Sequence, residues 1–159
     1  MLLFFSIMLT ALSACAGRWT GSSILQDPHT GLPESSASTA NITPIVNGRF
    51  VRIDYTWSYK EKPQDGLLLL GTDPQTGIAT AYWVDSWHMG HQALTCVDAE
   101  PQASMFTLKG SFPAPSGPDW GWIIELVPNP EGQFTIRMFN VEPGGPRDLA
   151  VEANYTRAD

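Results

Sequence analysis

The chain has 159 residues, which suits one domain with a single hydrophobic core, and its 43% hydrophobic and 16% charged residues exclude intrinsic disorder. Its 16 acidic and 9 basic residues give a net charge of −7 without any run of lysine or arginine, which excludes electrostatic binding to nucleic acid or to an anionic membrane surface. The two cysteines, Cys15 and Cys96, form no disulfide framework.

The first 16 residues are apolar almost throughout, and two interpretations of them stay open. The stretch Leu-Ser-Ala-Cys that ends at Cys15 has the form of a lipoprotein processing site, which predicts a signal segment, lipidation of Cys15 and a place in the cell envelope. Ser6, Thr10 and Ser13 instead fall at helical spacing, which predicts a short N-terminal helix on a cytoplasmic protein. The segment is too short to span a bilayer, so we expect membrane contact only through a lipid.

From residue 17 to residue 159 the sequence predicts one all-β domain. Short runs rich in β-branched and aromatic residues alternate with clusters of Gly, Pro, Asp and Asn, and no sustained helical period follows residue 16. The runs predict ten strands, at Arg18–Ile24, Ser36–Ile45, Phe50–Tyr59, Leu67–Thr72, Ile78–Trp87, Ala93–Val97, Met105–Phe112, Trp120–Val127, Gln133–Val141 and Leu149–Arg157.

The turns between these strands repeat one sequence device. Asp27–Gly31, in which we expect His29 to be exposed, differs from Asp73–Gly77 at one residue, and Asn129–Gly132 is closely related to both. Asp or Asn bonds forward to the backbone, Pro sets φ, and Gly takes the positive φ that closes a hairpin. Hairpins make successive strands antiparallel neighbours, and a long meander avoids exposed edges by closing on itself. The sequence therefore predicts a single antiparallel, up-and-down β-barrel.

The most chemically dense stretch is residues 78–91, which contains two tryptophans, two histidines and one carboxylate. As an extended strand it places Trp83, Asp85 and Trp87 on one face and His88 on the other, so both faces mix apolar and polar groups. Such a strand is typical of a wall between an apolar layer and a cavity. Contact between Asp85 and His88 requires a bulge, or a strand that ends by Trp87.

Alternation in the other strands also indicates an enclosed interior, but it leaves open which face points inward. One face of the strand at 133–141 carries Phe134, Ile136 and Met138 and ends with Asn140, which would need a hydrogen-bond partner if buried. Charged residues occupy the opposite faces, and they predict either a ligand-binding cluster in the lumen or a lattice of ion pairs outside the barrel. These residues are Arg52, Glu125, Arg137 and Glu152.

Several motifs resemble one bacterial family. Gly17-Arg18-Trp19, Tyr82–Met89, Trp120–Trp122, Met138–Gly145 and Ala150–Arg157 together resemble the family called domain of unknown function 1579, from about Gly17 to Arg157. The resemblance implies a lipocalin-like (calycin-type) barrel and no established activity. It also implies that Trp19 closes one end of the barrel beneath the guanidinium group of Arg157, so that both residues are structural.

We expect no cofactor and no metal ion. A related haem-binding branch of such barrels, the nitrobindin-like proteins, uses a histidine near the C-terminus as iron ligand, and this chain has no histidine after His91. His88 and His91 with Asp85 or Cys96 are conceivable metal ligands, but the intervening glycine and the strand context favour a structural or solvent-facing pair. The sequence also lacks the motifs of serine and thiol hydrolases and of phosphate-binding loops.

These observations predict a protein that binds or carries a small, partly apolar ligand in the barrel cavity. One alternative is an isomerase or lyase that uses Asp85 and His88, since a carboxylate can orient an imidazole for proton transfer. We favour instead an Asp85 that makes structural hydrogen bonds and a His88 that caps the mouth. The other alternative is a filled barrel that acts as an envelope module without a ligand. The residues predicted to lie at or near the cavity are Tyr55, Trp57, Trp83, Asp85, His88, Trp122 and Asn140.

Overall fold

The structure, a computed structural model, describes residues 5–159 and contains one helix and ten strands over that range. The first four residues of the predicted signal or helical segment lie outside the described residues. Between residues 5 and 159, no helix has the length and apolar character that a membrane crossing requires. The elements are α1 Phe5–Ala14, β1 Gly17–Gln26, β2 Pro33–Ile45, β3 Phe50–Tyr59, β4 Lys62–Thr72, β5 Ala79–Asp85, β6 Leu94–Asp98, β7 Phe106–Phe112, β8 Trp120–Pro128, β9 Gln133–Val141 and β10 Arg147–Arg157.

The ten strands form one closed barrel. Each strand pairs antiparallel with the next along the chain, and β1 pairs with β10, with Trp19 opposite Arg157 and Leu25 opposite Val151. Closure removes the unpaired strand edges that would otherwise attract other chains. The predicted all-β, up-and-down antiparallel barrel of about ten strands is confirmed, and a short helix precedes it.

The helix α1 packs at the end of the barrel where β1 begins, which we call the closed end. Cys15 and Trp19 are fully buried there, and Trp19 donates a hydrogen bond of 2.8 Å from its indole nitrogen to the carbonyl oxygen of Cys15. The guanidinium carbon of Arg157 lies 4.7 Å from the centre of the Trp19 ring. Arg157 also donates hydrogen bonds to the carbonyl oxygens of Ala14 and Ala16, so it ties the end of the helix to the last strand.

The opposite end, which we call the mouth, is formed by the connections that follow β1, β3, β5, β7 and β9. Of the strand boundaries at the mouth that differ from the sequence prediction, those of β4 and β5 differ for physical reasons that bear on the site. β4 begins at Lys62 rather than Leu67, because Lys60 and Glu61 make a two-residue turn with φ of 47° and 65° without the Gly or Asn that usually marks one. β5 ends at Asp85 rather than Trp87, because the side chain of Asp85 bonds to the backbone N–H groups of Trp87 and His88.

The barrel interior is apolar, because the face of each strand with the larger hydrophobic side chains points inward. Burial of this face is the main favourable contribution to folding. The fully buried inward side chains include Val51, Ile53, Leu68, Leu70, Leu108, Ile124, Leu126 and Phe134.

The four charged residues predicted opposite the apolar faces lie on the outer faces of their strands, namely Arg52, Glu125, Arg137 and Glu152. Glu125 accepts hydrogen bonds from Arg137 (2.9 Å) and Arg147 (3.0 Å), which cover its carboxylate, and Arg52 pairs with Asp54 at 2.8 Å. The proposed charged cluster in the lumen is therefore wrong. The alternative lattice of ion pairs on the outer surface is what the barrel carries, because alternation places these residues opposite the apolar face.

Arg157→Ala should lower the free energy of unfolding by about 1–2 kcal/mol, because it removes three hydrogen bonds to carbonyl oxygens and the stacking on Trp19. Urea denaturation monitored by tryptophan fluorescence measures this loss. The control is Arg18→Ala, since exposed Arg18 makes a single hydrogen bond of 3.4 Å, and we expect it to change stability by less than about 0.5 kcal/mol. Equal losses in the two variants would contradict a structural role for Arg157.

Candidate functional site

A buried carboxylate, Asp85, lies at the mouth, and its side chain is 2% exposed. Its Oδ2 accepts hydrogen bonds from the hydroxyl of Tyr55 (2.7 Å) and from Nε1 of Trp57 (3.3 Å). Its Oδ1 accepts three more, from the backbone N–H of Trp87 (2.8 Å), the backbone N–H of His88 (3.0 Å) and Nδ1 of His88 (3.1 Å). A carboxylate can be buried when its oxygens are satisfied in this way.

Asp85 also explains why β5 stops where it does. Aspartate side chains readily bond to backbone N–H groups that follow them, which competes with the strand ladder and starts a turn. Here the bonds to Trp87 and His88 begin a turn over residues 86–91, which the bond from the N–H of Met89 to the carbonyl oxygen of Asp85 (3.1 Å) completes. His88 is therefore released from strand alternation and folds back against Asp85, which a continuous strand would forbid.

The site shifts the pKa of Asp85 and the pKa of Tyr55 in opposite directions. Burial alone would raise the pKa of Asp85, but the hydrogen bond and charge of His88 and the hydrogen bond from Tyr55 outweigh it and hold the pKa below its ordinary value. An ionised carboxylate only accepts hydrogen bonds, so Nδ1 of His88 is the donor. The other ring nitrogen, Nε2, makes no hydrogen bond within residues 5–159. Burial and the charge of Asp85 raise the pKa of Tyr55 well above its usual range, so its hydroxyl remains a donor.

Four tryptophans, which we call the indole cage, surround the imidazole ring of His88. The ring centroid of His88 lies 4.7 Å from that of Trp87, 5.5 Å from Trp83, 5.7 Å from Trp57 and 5.7 Å from Trp122. They come from β3, β5, the 86–91 turn and β8, so the barrel brings together residues that are far apart in the chain. Trp87 also contacts Tyr59, with ring centroids 5.1 Å apart.

Two members of the cage are stacked on each other but differ in their hydrogen bonding. Trp83 and Trp122 lie nearly parallel, at 9°, with ring centroids 5.3 Å apart. Nε1 of Trp83 donates to the hydroxyl oxygen of Tyr55 at 2.8 Å. Nε1 of Trp122 is buried and has no partner within the described part of the chain.

A second unpaired polar atom lies across from Trp122. Asn140 on β9 is the register partner of Trp122 on β8, and its Oδ1 is also buried without a hydrogen bond from any described residue. One atom of this pair is a donor and the other is an acceptor. Buried polar atoms in folded proteins are nearly always satisfied by protein or by water, so this donor and this acceptor are unusual among the described residues.

A small cavity of about 20 Å³ lies beside Asp85 and His88. That is room for about one water molecule. Tyr155, on its wall, shares a hydrogen bond of 2.8 Å with Ser38, and burial raises its pKa to about 12. The cavity is lined by Ser23, Leu25, Tyr55, Trp57, Asp85, His88, Ile136, Met138, Val151, Ala153 and Tyr155.

The structure brings the residues of the predicted ligand site together at the mouth, although their role in binding stays a prediction. Four of them line the cavity, namely Tyr55, Trp57, Asp85 and His88. Trp83 and Trp122 contact His88 through their rings, and Asn140 lies beside Trp122 in the sheet. Trp19 and Arg157, which the family resemblance assigns to structural roles, lie at the closed end.

Sequence reasoning missed several residues of this region. Ser23 and Tyr155 line the cavity from β1 and β10, which meet only because the barrel closes. A signal existed, since alternation in the last strand puts Val151, Ala153 and Tyr155 on one face. Alternation puts Trp87 on the same face as Asp85. It is not among the residues predicted at the cavity, yet it forms one wall of the indole cage.

The remaining candidate ligands do not join the site. His91 and His29 are exposed, as we expected for His29. Cys96 is fully buried in β6, and burial raises the pKa of its thiol to about 12, so it is protonated at neutral pH. Over residues 5–159, no group of three or more His, Cys, Asp and Glu side chains is arranged to hold a metal ion.

Comparison with known proteins places the chain in one family and one fold. A family model described as Protein of unknown function (DUF1579) matches residues 8–157. The chain is similar to the crystal structure of Rv2717c from M. tuberculosis, with a TM-score of 0.64 and 14% identity over 95% of this chain and 97% of that one. At that identity the likeness shows a shared fold alone. No curated protein matches the chain significantly.

Trp83→Phe should destabilise the protein by about 1–2 kcal/mol more than Trp122→Phe. The first change removes the N–H that donates to the hydroxyl oxygen of Tyr55, whereas the second removes an N–H that has no partner among the described residues. The two indoles stack on each other, so each variant is the control for lost ring area in the other. Urea denaturation measures both free energies of unfolding. A Trp122→Phe variant that is as unstable as Trp83→Phe would show that Nε1 of Trp122 has a partner.

Stability should fall in acid partly through Asp85. Because folding lowers the pKa of Asp85, the folded protein binds fewer protons than the unfolded chain near the unfolded value of about 3.9. The stabilisation is therefore present above that pH and is lost as the pH falls through the lower folded pKa. Asp85→Asn should flatten the acid limb of unfolding free energy against pH, whereas Asn at exposed Asp119 should not. Identical acid limbs in both variants and the wild type would contradict this assignment.

Proposed function

The chain belongs to the family described as Protein of unknown function (DUF1579), and we propose that it binds a small, partly apolar molecule at the mouth of its barrel. The observation that carries this proposal is the unpaired pair of Trp122 Nε1 and Asn140 Oδ1. Each buried polar atom without a partner costs about 1–3 kcal/mol of stability. A bound molecule that accepts a hydrogen bond from Trp122 and donates one to Asn140 would recover that free energy.

The surroundings of this pair suit a partly apolar ligand. Its neighbours on one side are indole rings, and two residues along β9 from Asn140 the side chain of Met138 lines the cavity. Pockets for small molecules typically combine aromatic and aliphatic walls with a few well-placed polar groups. The polar groups that line the adjoining cavity include the hydroxyls of Tyr55 and Tyr155 and the carboxylate of Asp85.

The size of the cavity limits how binding can occur. A volume of about 20 Å³ admits roughly one water molecule, so any larger ligand must displace a side chain that now occupies the mouth. His88 is the side chain best placed to move, because it stands on a turn rather than on a strand and lines the cavity. The small volume is also the observation that favours the third interpretation, a filled barrel without a ligand.

One observation favours an enzyme as a second candidate. Asp85 holds Nδ1 of His88 at 3.1 Å and leaves Nε2 unbonded within residues 5–159, an arrangement in which the imidazole can transfer a proton. Asp85 itself accepts five hydrogen bonds, so in this reaction it would orient His88 rather than act as the base. The reaction would be an isomerisation or an elimination of a bound small molecule.

His88→Ala separates the two candidates. A binding protein keeps at least part of its affinity for the bound molecule, because the indoles, Trp122 Nε1 and Asn140 remain. An isomerase or lyase loses turnover of that molecule while circular dichroism shows an intact barrel.

The direct test of binding is native mass spectrometry of protein purified from its own host. We expect additional non-covalent mass on the wild-type chain and its loss from the double variant Trp122→Phe with Asn140→Leu. The matched control is Thr107→Val, because Thr107 Oγ1 is also buried and unpaired among the described residues but lies on the outer face of β7. A wild type without added mass, or a double variant that retains as much as the wild type, would contradict the proposal.

A further inference from the structure

We propose that the indole cage is a cation-binding site that His88 fills from within the chain, and that the ligand carries a small ammonium group which takes the place of His88. This inference rests on the proposed binding function and specifies the class of its ligand.

The position of the His88 ring lies within cation–π distance of all four indole rings. All four indole centroids lie between 4.7 and 5.7 Å from the ring centroid of His88. A cation is attracted to an aromatic face within about 6 Å of the ring centroid, and cages of several such rings recognise quaternary and methylated ammonium groups. Four of the six tryptophans of the chain converge on this one position.

The charge at the base of the cage has the complementary sign. The carboxylate of Asp85 is 2% exposed and lies 3.1 Å from Nδ1 of His88, so a group that replaces the imidazole would face a buried anion. Among residues 5–159, no lysine or arginine lines the adjoining cavity. An anionic ligand would be repelled there, and a neutral apolar ligand would remove the hydrogen bond from His88 without supplying any charge to offset the loss.

His88 can leave the cage without unfolding the turn that carries it. Its side chain makes one hydrogen bond, to Asp85, and is 13% exposed, so it already borders solvent. The backbone N–H groups of Trp87 and His88 bond to Asp85 independently of the imidazole, and they hold the turn in place. A rotation of the side chain therefore opens a space the size of an imidazole, next to a cavity for about one water molecule. That space suits a trimethylammonium group.

The test compares choline with 3,3-dimethylbutan-1-ol, in which carbon replaces the charged nitrogen and the shape is otherwise the same. His88→Ala should bind choline at least about tenfold more tightly than the alcohol, measured by calorimetry and by tryptophan fluorescence. It should also bind choline more tightly than the wild type does, because the competing imidazole is gone. The matched control is His29→Ala, since the ring of exposed His29 lies 6.2 Å from that of Trp87 and does not occupy the cage. Its affinity should equal that of the wild type.

Each outcome supports or overturns the assignment of an ammonium ligand. Equal affinities for choline and the alcohol overturn the ammonium assignment but leave the binding function standing. A folded His88→Ala variant that binds neither compound also overturns the assignment, and native mass spectrometry of the wild type then judges the binding function separately. If the variant does not fold, the wild type is titrated with excess choline and its indole N–H resonances are followed by NMR. Shifts in the cage tryptophans but not in Trp19 support the proposal, and their absence rejects it.

Discussion

The mouth of this barrel depends on one buried charge, the carboxylate of Asp85. Its five hydrogen bonds tie together β3, the end of β5 and the turn that follows, and they orient His88. Removing a carboxylate from water is costly unless its oxygens are paired, so the residues that satisfy it are constrained along with it. Tyr55 and Trp57 are held as donors, and Trp83 is held in turn through the hydroxyl of Tyr55.

The buried carboxylates of Glu125 and Asp85 lie in different surroundings. On the outer face of β8, Glu125 lies between Arg137 and Arg147, which cover its carboxylate and neutralise its charge. At the inner mouth, Asp85 is paired with neutral donors and with one imidazole, in surroundings made mostly of indole rings. A negative charge in an aromatic, poorly solvated site acts strongly on any cation that reaches it. This contrast is why we place the proposed ligand at the mouth rather than on the outer surface.

His88 is the residue through which a tightly packed barrel could still bind the proposed ligand. The cavity beside Asp85 and His88 has space for about one water molecule, which by itself favours a filled barrel. The side chain that completes the packing at the mouth, however, stands on a turn and borders solvent, and the unpaired atoms of Trp122 and Asn140 lie beside the same cage. A protein interior normally leaves neither a removable side chain next to a buried charge nor a donor and an acceptor without partners. Both features occur at the mouth of the barrel, where we propose that the ligand binds.

The sequence by itself determined the ten strands, their antiparallel order and the need for closure, because hairpin turns and period-two alternation are local properties of the chain. It also brought forward Asp85, His88, Trp122 and Asn140 as an unusual set. Only the tertiary structure decided which face points inward, since alternation is the same for either choice until the sheet curls. It likewise decided that β5 ends at Asp85 and that Trp57 and Trp122 meet His88, because both facts depend on hydrogen bonds and packing between segments distant in the chain.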